Sequence, residues 1–407
     1  MSAHVKNPPP NGGGAGWGGA RLGALRAKLA HAVAPYARRL RQILHAPSPF
    51  PRPQGRGSAF ALVALLILSA CATAPEPAPR WSIIVHGGAG VIERANLTPE
   101  LEAQYRAAMQ RALTTGGGVL EGGGSSLDAV EAVIREMEDD PLFNAGRGAV
   151  FTAEGRNELD ASIMDGRNRA AGSVAGVTTI RHPISAARAV MENSRHVMLI
   201  GEGAEAFARS QNLETVEPSY FFTERRWQQL ETNLRNNTLP IPRRPEGAPP
   251  APRAELAYPD DHQFGTVGVV ALDSQGNIAA GTSTGGTTGK RWGRVGDAPI
   301  IGAGTYAQNG ICGVSATGTG EFFIRVGVAR DICARMEFNG ESAQEAADHV
   351  IAEVGATTGN DGAAGDGGVI VLDGRGAVAW AMNTPGMYRA WQTADDEPVV
   401  QIFADEE

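Results

Sequence analysis

The chain is 407 residues long, carries a formal net charge of −8, and contains 53 glycines and three cysteines. That length suffices for one large core or two, and glycine in short clusters beside apolar runs signals tight turns rather than collagen or linker. Residues 1–57 hold nine Lys/Arg and no acid, so the remainder bears −17, an acidic body that argues against nucleic acid as a partner.

Residues 1–58 form a basic extension, Gly/Pro-rich to residue 20 and then spaced for a basic amphipathic helix over Arg21 to His45. Twelve small or apolar residues follow, Ala59 to Ala70. They are too few to span a bilayer as a helix, but they suit the hydrophobic region of a signal peptide. Leu68-Ser69-Ala70-Cys71 resembles a bacterial lipoprotein signal, so residues 59–71 read as a signal segment with Cys71 as the lipidated residue. The expectation is a periplasmic protein whose membrane contact is a lipid anchor, at the outer membrane because Ala72 rather than Asp follows Cys71. A plain secretory signal cut near Ala70 is the alternative. The basic stretch is long for a signal peptide, and residues 1–55 also read as a mis-assigned start. Residues 72–80 are a Pro-rich tether. With Cys71 engaged, Cys312 and Cys333 allow one disulfide at most.

The folded part begins at Trp81. Ser82 to Val85 reads as a buried strand, and His86-Gly-Gly-Ala-Gly90 directly after it lets backbone approach a ligand or another loop closely. No Lys-Ser/Thr follows, so it is not a phosphate loop. His86 reads as well as a buried, hydrogen-bonded histidine as it does as a site residue. Pro99 to Thr114 has helical spacing, and after a Gly-rich turn Ser126 stands as N-cap of a helix carrying Leu127, Val130, Ile134 and Met137 on one face. Ala149–Thr152 and Leu159–Asp165 read as strands. Val174 to Ile180, Ala186 to Met191 and His196 to Ile200 continue an α/β alternation. Trp227 to Leu234 reads as a helix. Thr238 to Pro259 then holds seven prolines and no periodicity, a mobile linker by composition.

The chain is organised around the next stretch, His262 to Asp273. Gly265-Thr266 opens a run of small and β-branched residues, closed by the turn Asp273 to Asn277 and answered by a second run, Ile278 to Thr284. This is a hairpin of buried strands. Cleavage before Thr266 would place a free amine and a hydroxyl on one residue, nucleophile and base together. Thr282-Ser283-Thr284 ends the second strand and brings a hydroxyl beside Thr266. Arg294 and Asp297 offer a planar cation and an anion three residues apart, a pair suited to a zwitterion or to each other. Thr317-Gly318-Thr319-Gly320 precedes a helical run from Glu321 to Met336, and such backbone offers N–H donors to a developing oxyanion.

Together, FGTVGVVALD, TSTGG, GRVGD, GAGTYA, ATGTGE and GMYRAW, with the upstream HGGAG and PLFNAG, resemble the plant-type L-asparaginase/isoaspartyl peptidase family of N-terminal nucleophile hydrolases. The match runs from about Trp81 to Trp391. The resemblance implies an α+β fold, a four-layer αββα sandwich, cleaved into an α subunit (81–265) and a β subunit (266–407). It implies Thr266 as nucleophile, Thr284 orienting it, Thr317 and Gly318 as oxyanion hole, Arg294, Asp297 and Gly320 as the substrate site, and Asn144 near the nucleophile. A sodium loop with mainly backbone ligands is implied at Met137, Glu138, Asp140, Phe143, Ala145 and Arg147; oxygen ligands suit a hard cation. No other cofactor is implied. The expected substrate is an isoaspartyl dipeptide or L-asparagine, and the expected assembly a dimer of αβ units. A glycosylasparaginase, or a binding lipoprotein that stays unprocessed, would use the same groups.

Overall fold

A computed structural model of the chain describes residues 81–250 and 265–406. The basic extension, the signal segment with Cys71, the tether and residues 251–264 lie outside the described residues, as do the expectations attached to them.

The hairpin forms as its sequence requires. Val267–Leu272 (β5) pairs antiparallel with Ile278–Thr284 (β6), with Val267 opposite Ser283 and Leu272 opposite Ile278. Asp273 closes the turn, its Oδ1 accepting from the N–H groups of Gln275 and Asn277. Ser82–Gly90 (β1) lies along the other side of β5. Leu159–Asp165 (β2), Ala170–Val177 (β3), Met198–Ile200 (β4), Gly386–Thr393 (β11) and Val399–Phe403 (β12) complete an eight-stranded sheet in the order β12-β11-β1-β5-β6-β2-β3-β4. Thr305–Gln308 (β7), Cys312–Gly318 (β8), Gly367–Asp373 (β9) and Val378–Met382 (β10) form a second sheet in the order β10-β9-β8-β7.

Helices Pro99–Glu121 (α1), Ser126–Asp139 (α2), Pro183–Asn193 (α3) and Gly201–Ser210 (α4) pack on the larger sheet. Val328–Ala334 (α7) and Ala343–Ala356 (α8) pack on the smaller one. Side chains alternate faces along a strand, so β5 feeds two cores. Val267, Val269 and Ala271 join Val130, Val133 and Ile134 of α2, while Val270 and Leu272 join Val314 and Val371 between the sheets. Each fully buried Val or Leu stabilises by roughly 1.5–3 kcal/mol. The result is the expected αββα sandwich, with β5 inside it. Among the described residues no helix is long and apolar enough to cross a membrane.

Several expectations need correction. The first helix does not stop at Thr114 but runs through Gly116, Gly117 and Gly118. A Cβ on Gly116 would stand 2.2 Å from Ile83 and 2.8 Å from Val133, so glycine here permits close packing rather than a turn. The N-cap of α2 is Ser125, not Ser126; its hydroxyl accepts from the N–H of Asp128. Ala149–Thr152 is not a strand. Its backbone is satisfied locally, Val150 donating to Asn144 Oδ1 and Thr152 to the Arg156 carbonyl, while Asn157 Nδ2 donates to the carbonyls of Ala149 and Val150.

The helical run from Glu321 is divided. Gly320–Val326 (α6) ends at Gly327, whose φ of +70° breaks the helix before α7. The described part of the Pro-rich linker is packed rather than loose. Arg244 forms a two-pronged ion pair with Glu224 at the start of Glu224–Asn236 (α5) and lies over the rings of Phe222 and Trp227. Cys312 on β8 and Cys333 on α7 form a disulfide.

Candidate active site

Thr266 immediately precedes β5, and Thr284 ends β6 beside it. The Thr266 hydroxyl donates to Thr284 Oγ1 at 3.1 Å, and Thr284 Oγ1 also accepts from the N–H of Gly286 at 3.0 Å. The peptide bond before Thr266 is held from two sides. The Gly265 carbonyl accepts from the N–H of Asn144 at 3.1 Å. From the other side, a Cβ on Gly88 (φ +112°) would lie 2.5 Å from the Gly265 Cα. The glycines of His86–Gly90 thus do admit another loop, and that loop carries the Gly265–Thr266 bond. Asn144 is itself fixed, Nδ2 donating to the Gly286 carbonyl at 2.7 Å and Oδ1 accepting from Val150.

His86 is fully buried and bonded to Ser315 at 3.0 Å. Burial holds its pKa down to about 3, against an opposing interaction with the Thr266 backbone; the ring is neutral at physiological pH. Thr317 Oγ1 accepts from the N–H of Ala89 at 3.3 Å, which leaves the hydroxyl proton of Thr317 for another acceptor. Gly318 follows with φ +156°, and a Cβ there would meet the Asp366 carbonyl at 2.3 Å.

The cation–anion pair lies where the β6–β7 connection meets α6. Arg294 donates from Nε and a terminal nitrogen to the two carboxylate oxygens of Glu321, at 2.9 and 2.8 Å. Burial opposes the charge of Arg294, but Glu321, Asp297 and Asp160 outweigh it and its pKa is raised. Asp297 is fully buried and its Oδ2 has no hydrogen-bond partner. Burial raises its pKa to about 7, against its own backbone N–H and the charge of Arg294. A Cβ on Gly320 would fall 2.8 Å from the Asp297 nitrogen and 3.0 Å from Arg294, so glycine keeps this corner open. Orphaned buried carboxylate oxygens are costly, and one beside a guanidinium fits an ammonium group.

Three residues of this region escaped the sequence reading. Glu321 occupies the Arg294 fork. Lys290, nearly buried, donates to the Glu158 carbonyl at 2.9 Å and lies 3.9 Å from Asp160. Asp160, fully buried with its pKa raised by that burial, accepts from the N–H of Gly176 at 2.8 Å. The available signal was an acid, Asp160, between Leu159 and Ala161 at the start of a buried strand.

The sodium-loop residues cluster at the end of α2. A Cβ on Gly146 would meet the Glu138 carbonyl at 2.1 Å, and one on Gly148 the Phe143 carbonyl at 1.9 Å. Glycine at 146 and at 148 thus makes room for two of the expected carbonyls, those of Glu138 and Phe143. The carbonyls of Met137, Asp140 and Ala145 accept from Asp140, Phe143 and Gly148. Arg147 places its guanidinium over Tyr220 at 5.7 Å, so only its backbone is available to the loop. Among the described residues no group of His, Cys, Asp or Glu side chains could hold a metal. The Glu138 side chain serves elsewhere, accepting from Ser283 at 2.6 Å and from the N–H of Ile184 at 3.1 Å.

An αββα sandwich with a threonine at the head of a central strand, its hydroxyl on a second threonine, defines an N-terminal nucleophile hydrolase. A family model described as asparaginase matches residues 79–402. An isoaspartyl peptidase of Escherichia coli (strain K12) is 47% identical over 321 residues, covering 79% of this chain and 95% of that protein. An isoaspartyl peptidase/L-asparaginase of Xenopus laevis is 40% identical over 315 residues, 77% and 92% of the two chains. A plant-type L-asparaginase of Pyrococcus abyssi is 40% identical over 313 residues, 76% and 95%. The chain belongs to the asparaginase family and is a hydrolase.

Proposed function

We propose that the protein is a self-processing amidohydrolase that releases L-aspartate from isoaspartyl dipeptides and from L-asparagine. The observation that carries this reading is the Thr266 hydroxyl on Thr284, at a bond whose carbonyl is already held by the N–H of Asn144. In processing, Thr266 Oγ attacks the Gly265 carbonyl carbon and the oxyanion is stabilised by the Asn144 N–H. The C–N bond breaks as the amine takes a proton. Water then hydrolyses the ester, leaving a carboxylate on Gly265 and a free amine on Thr266.

That amine, with an ordinary pKa of about 8, removes the proton from its own hydroxyl far more readily than a lysine amine would. Arg294 takes the substrate α-carboxylate and Asp297 its α-ammonium. Thr266 attacks the β-carbonyl while Thr317 and Gly318 receive the developing charge. The amine or ammonia leaves with a proton, and water hydrolyses the β-aspartyl ester. The carbonyls of Glu138 and Phe143 would hold sodium as a structural ion that fixes the loop bearing Asn144. The names of the relatives favour hydrolysis over mere binding, and isoaspartyl substrates over glycosylated ones. The unit of function in this reading is a dimer of αβ pairs.

The test is aspartate release from β-aspartyl-leucine and L-asparagine by purified protein. Turnover of both is the expected result; retention of either ligand without hydrolysis would make the protein a binder.

For location, the reading is a lipid-anchored periplasmic protein. The Leu-Ser-Ala-Cys sequence ending at Cys71 supports it, as does the Cys312–Cys333 disulfide, a bond that persists in oxidising compartments. Cys71→Ser is expected to move the protein from the membrane fraction to the soluble one. A variant that stays in the membrane fraction would place the anchor elsewhere.

A further inference from the structure

Between Lys290 and Arg294 the backbone reverses in a tight turn, the N–H of Arg294 donating to the Arg291 carbonyl at 3.0 Å. Both central residues have positive φ, +59° at Trp292 and +69° at Gly293. Such mirror-image turns favour Asn-Gly or Asp-Gly, because most side chains resist the left-handed region. A tryptophan there is an outlier, and it is not there to fill a core: it is 89% exposed. The Arg291 guanidinium lies over its ring, 4.6 Å from the centroid.

The position of the turn gives the outlier its meaning. A Cβ on Gly286 would stand 3.1 Å from the Lys290 ammonium and 3.5 Å from Arg294, so the feet of the turn straddle Gly286. Gly286 is two residues beyond Thr284, the partner of the nucleophile. Trp292 thus stands two residues from Arg294, on a turn flanked by two side chains that reach Gly286, with an aromatic face and a cation side by side. Strained residues kept by a fold concentrate at ligand-binding positions, and an exposed tryptophan offers a large rigid contact area.

We propose that Trp292 and Arg291 form a lip that selects the leaving group, the indole taking an apolar or aromatic side chain and Arg291 the α-carboxylate of the released residue. The inference rests on the isoaspartyl-hydrolase reading and deepens it. An isoaspartyl dipeptide releases an amino acid that has both a side chain and a carboxylate, whereas L-asparagine releases ammonia and has neither. The lip therefore makes the preferred substrates β-aspartyl dipeptides whose second residue is apolar or aromatic.

The experiment compares kcat/KM on β-aspartyl-phenylalanine and β-aspartyl-glycine for the wild type, Trp292→Asn and Arg291→Ala. Asparagine accepts the left-handed backbone, so Trp292→Asn suits the turn at least as well as tryptophan does. The expected results are a wild-type preference for the phenylalanine dipeptide and a roughly tenfold fall in the Phe/Gly ratio in Trp292→Asn. Arg291→Ala is expected to raise KM for both dipeptides more than for L-asparagine. An unchanged Phe/Gly ratio overturns the proposal. So does an equal loss on both dipeptides with a shift to a smaller species on size exclusion, which would assign Trp292 to contact with a second copy. A wild type that releases aspartate from no substrate removes the hydrolase reading itself, and the two failures are thereby distinguished.

Discussion

Thr266→Ala is expected to leave the purified protein as a single chain on a denaturing gel, where the wild type should give two. The C-terminal fragment of the wild type should begin Thr-Val-Gly-Val-Val. Alanine removes the one hydroxyl that bonds Thr284 and that would attack the Gly265 carbonyl, while the backbone entering β5 is unaltered. Loss of a nucleophile that acts as a unit with its base costs on the order of 10⁶-fold in rate, so aspartate release falls to background. Thr266→Ser keeps the hydroxyl and is expected to process, which separates a chemical defect from a folding one. A fragment starting at another residue would move the nucleophile; a single chain with full activity would refute processing altogether.

Arg294→Ala is expected to process normally and yet lose hydrolysis. Self-cleavage as proposed would use Thr266, Thr284 and Asn144, none of which hydrogen-bonds to Arg294, and would involve no free α-carboxylate. Glu321, the partner that Arg294 abandons, has a side chain 56% exposed and remains hydrated, so folding loses little. In hydrolysis as proposed, the guanidinium edge not taken by Glu321 would supply two charge-assisted contacts of about 1.5–3 kcal/mol each, so kcat/KM on β-aspartyl-leucine should fall about 10²–10⁴-fold. Arg294→Lys keeps the charge without the fork and should remain badly impaired. A variant with ordinary hydrolysis would reduce Arg294 to a structural ion pair, and one that fails to process would give it a folding role.

The pH profile provides a second reading of the same corner. Burial raises Asp297 to about 7 in the free enzyme, and only its ionised form pairs with an ammonium. Activity should therefore rise as pH increases through about 7, and in Arg294→Ala this limb should move to higher pH because the cation opposing the shift is gone. The sign for stability is opposite. A carboxyl whose folded pKa is raised binds its proton more tightly when folded, so its contribution is complete below about 4 and is lost as pH rises to about 7.

Strands with one dominant cause were legible in the sequence. The hairpin at Thr266 announced itself by apolar runs around an Asp-Ser-Gln-Gly-Asn turn, and the fold places its register so that Thr266 and Thr284 meet. What failed was glycine read in isolation. Gly116 to Gly118 looked like a helix stop because the reason for Gly116, Ile83 and Val133 pressing on the helix, is distant in sequence. Ala149–Thr152 looked like a strand, but Asn144 and Asn157 take the hydrogen bonds that a ladder would have used. Arg294 and Asp297 were recognisable as a cation and an anion three residues apart. The pairing of Arg294 with Glu321, and the buried Asp160 and Lys290 behind it, depend on chain segments that only the tertiary fold brings together.

The strand order has a consequence for refolding. In the larger sheet β1 sits between β11 and β5, so a chain cut before Thr266 would interleave a strand from its N-terminal piece between two from its C-terminal piece. The pieces could not part without rupturing the middle of the sheet. Before the cut, recovery from denaturant is a first-order process, indifferent to dilution. After it, recovery needs two polymers to collide, and its half-time should lengthen in inverse proportion to concentration. One peptide bond would thus set the molecularity of folding: the molecule would be assembled once as a single chain and, when dilute, would have little chance of being assembled again.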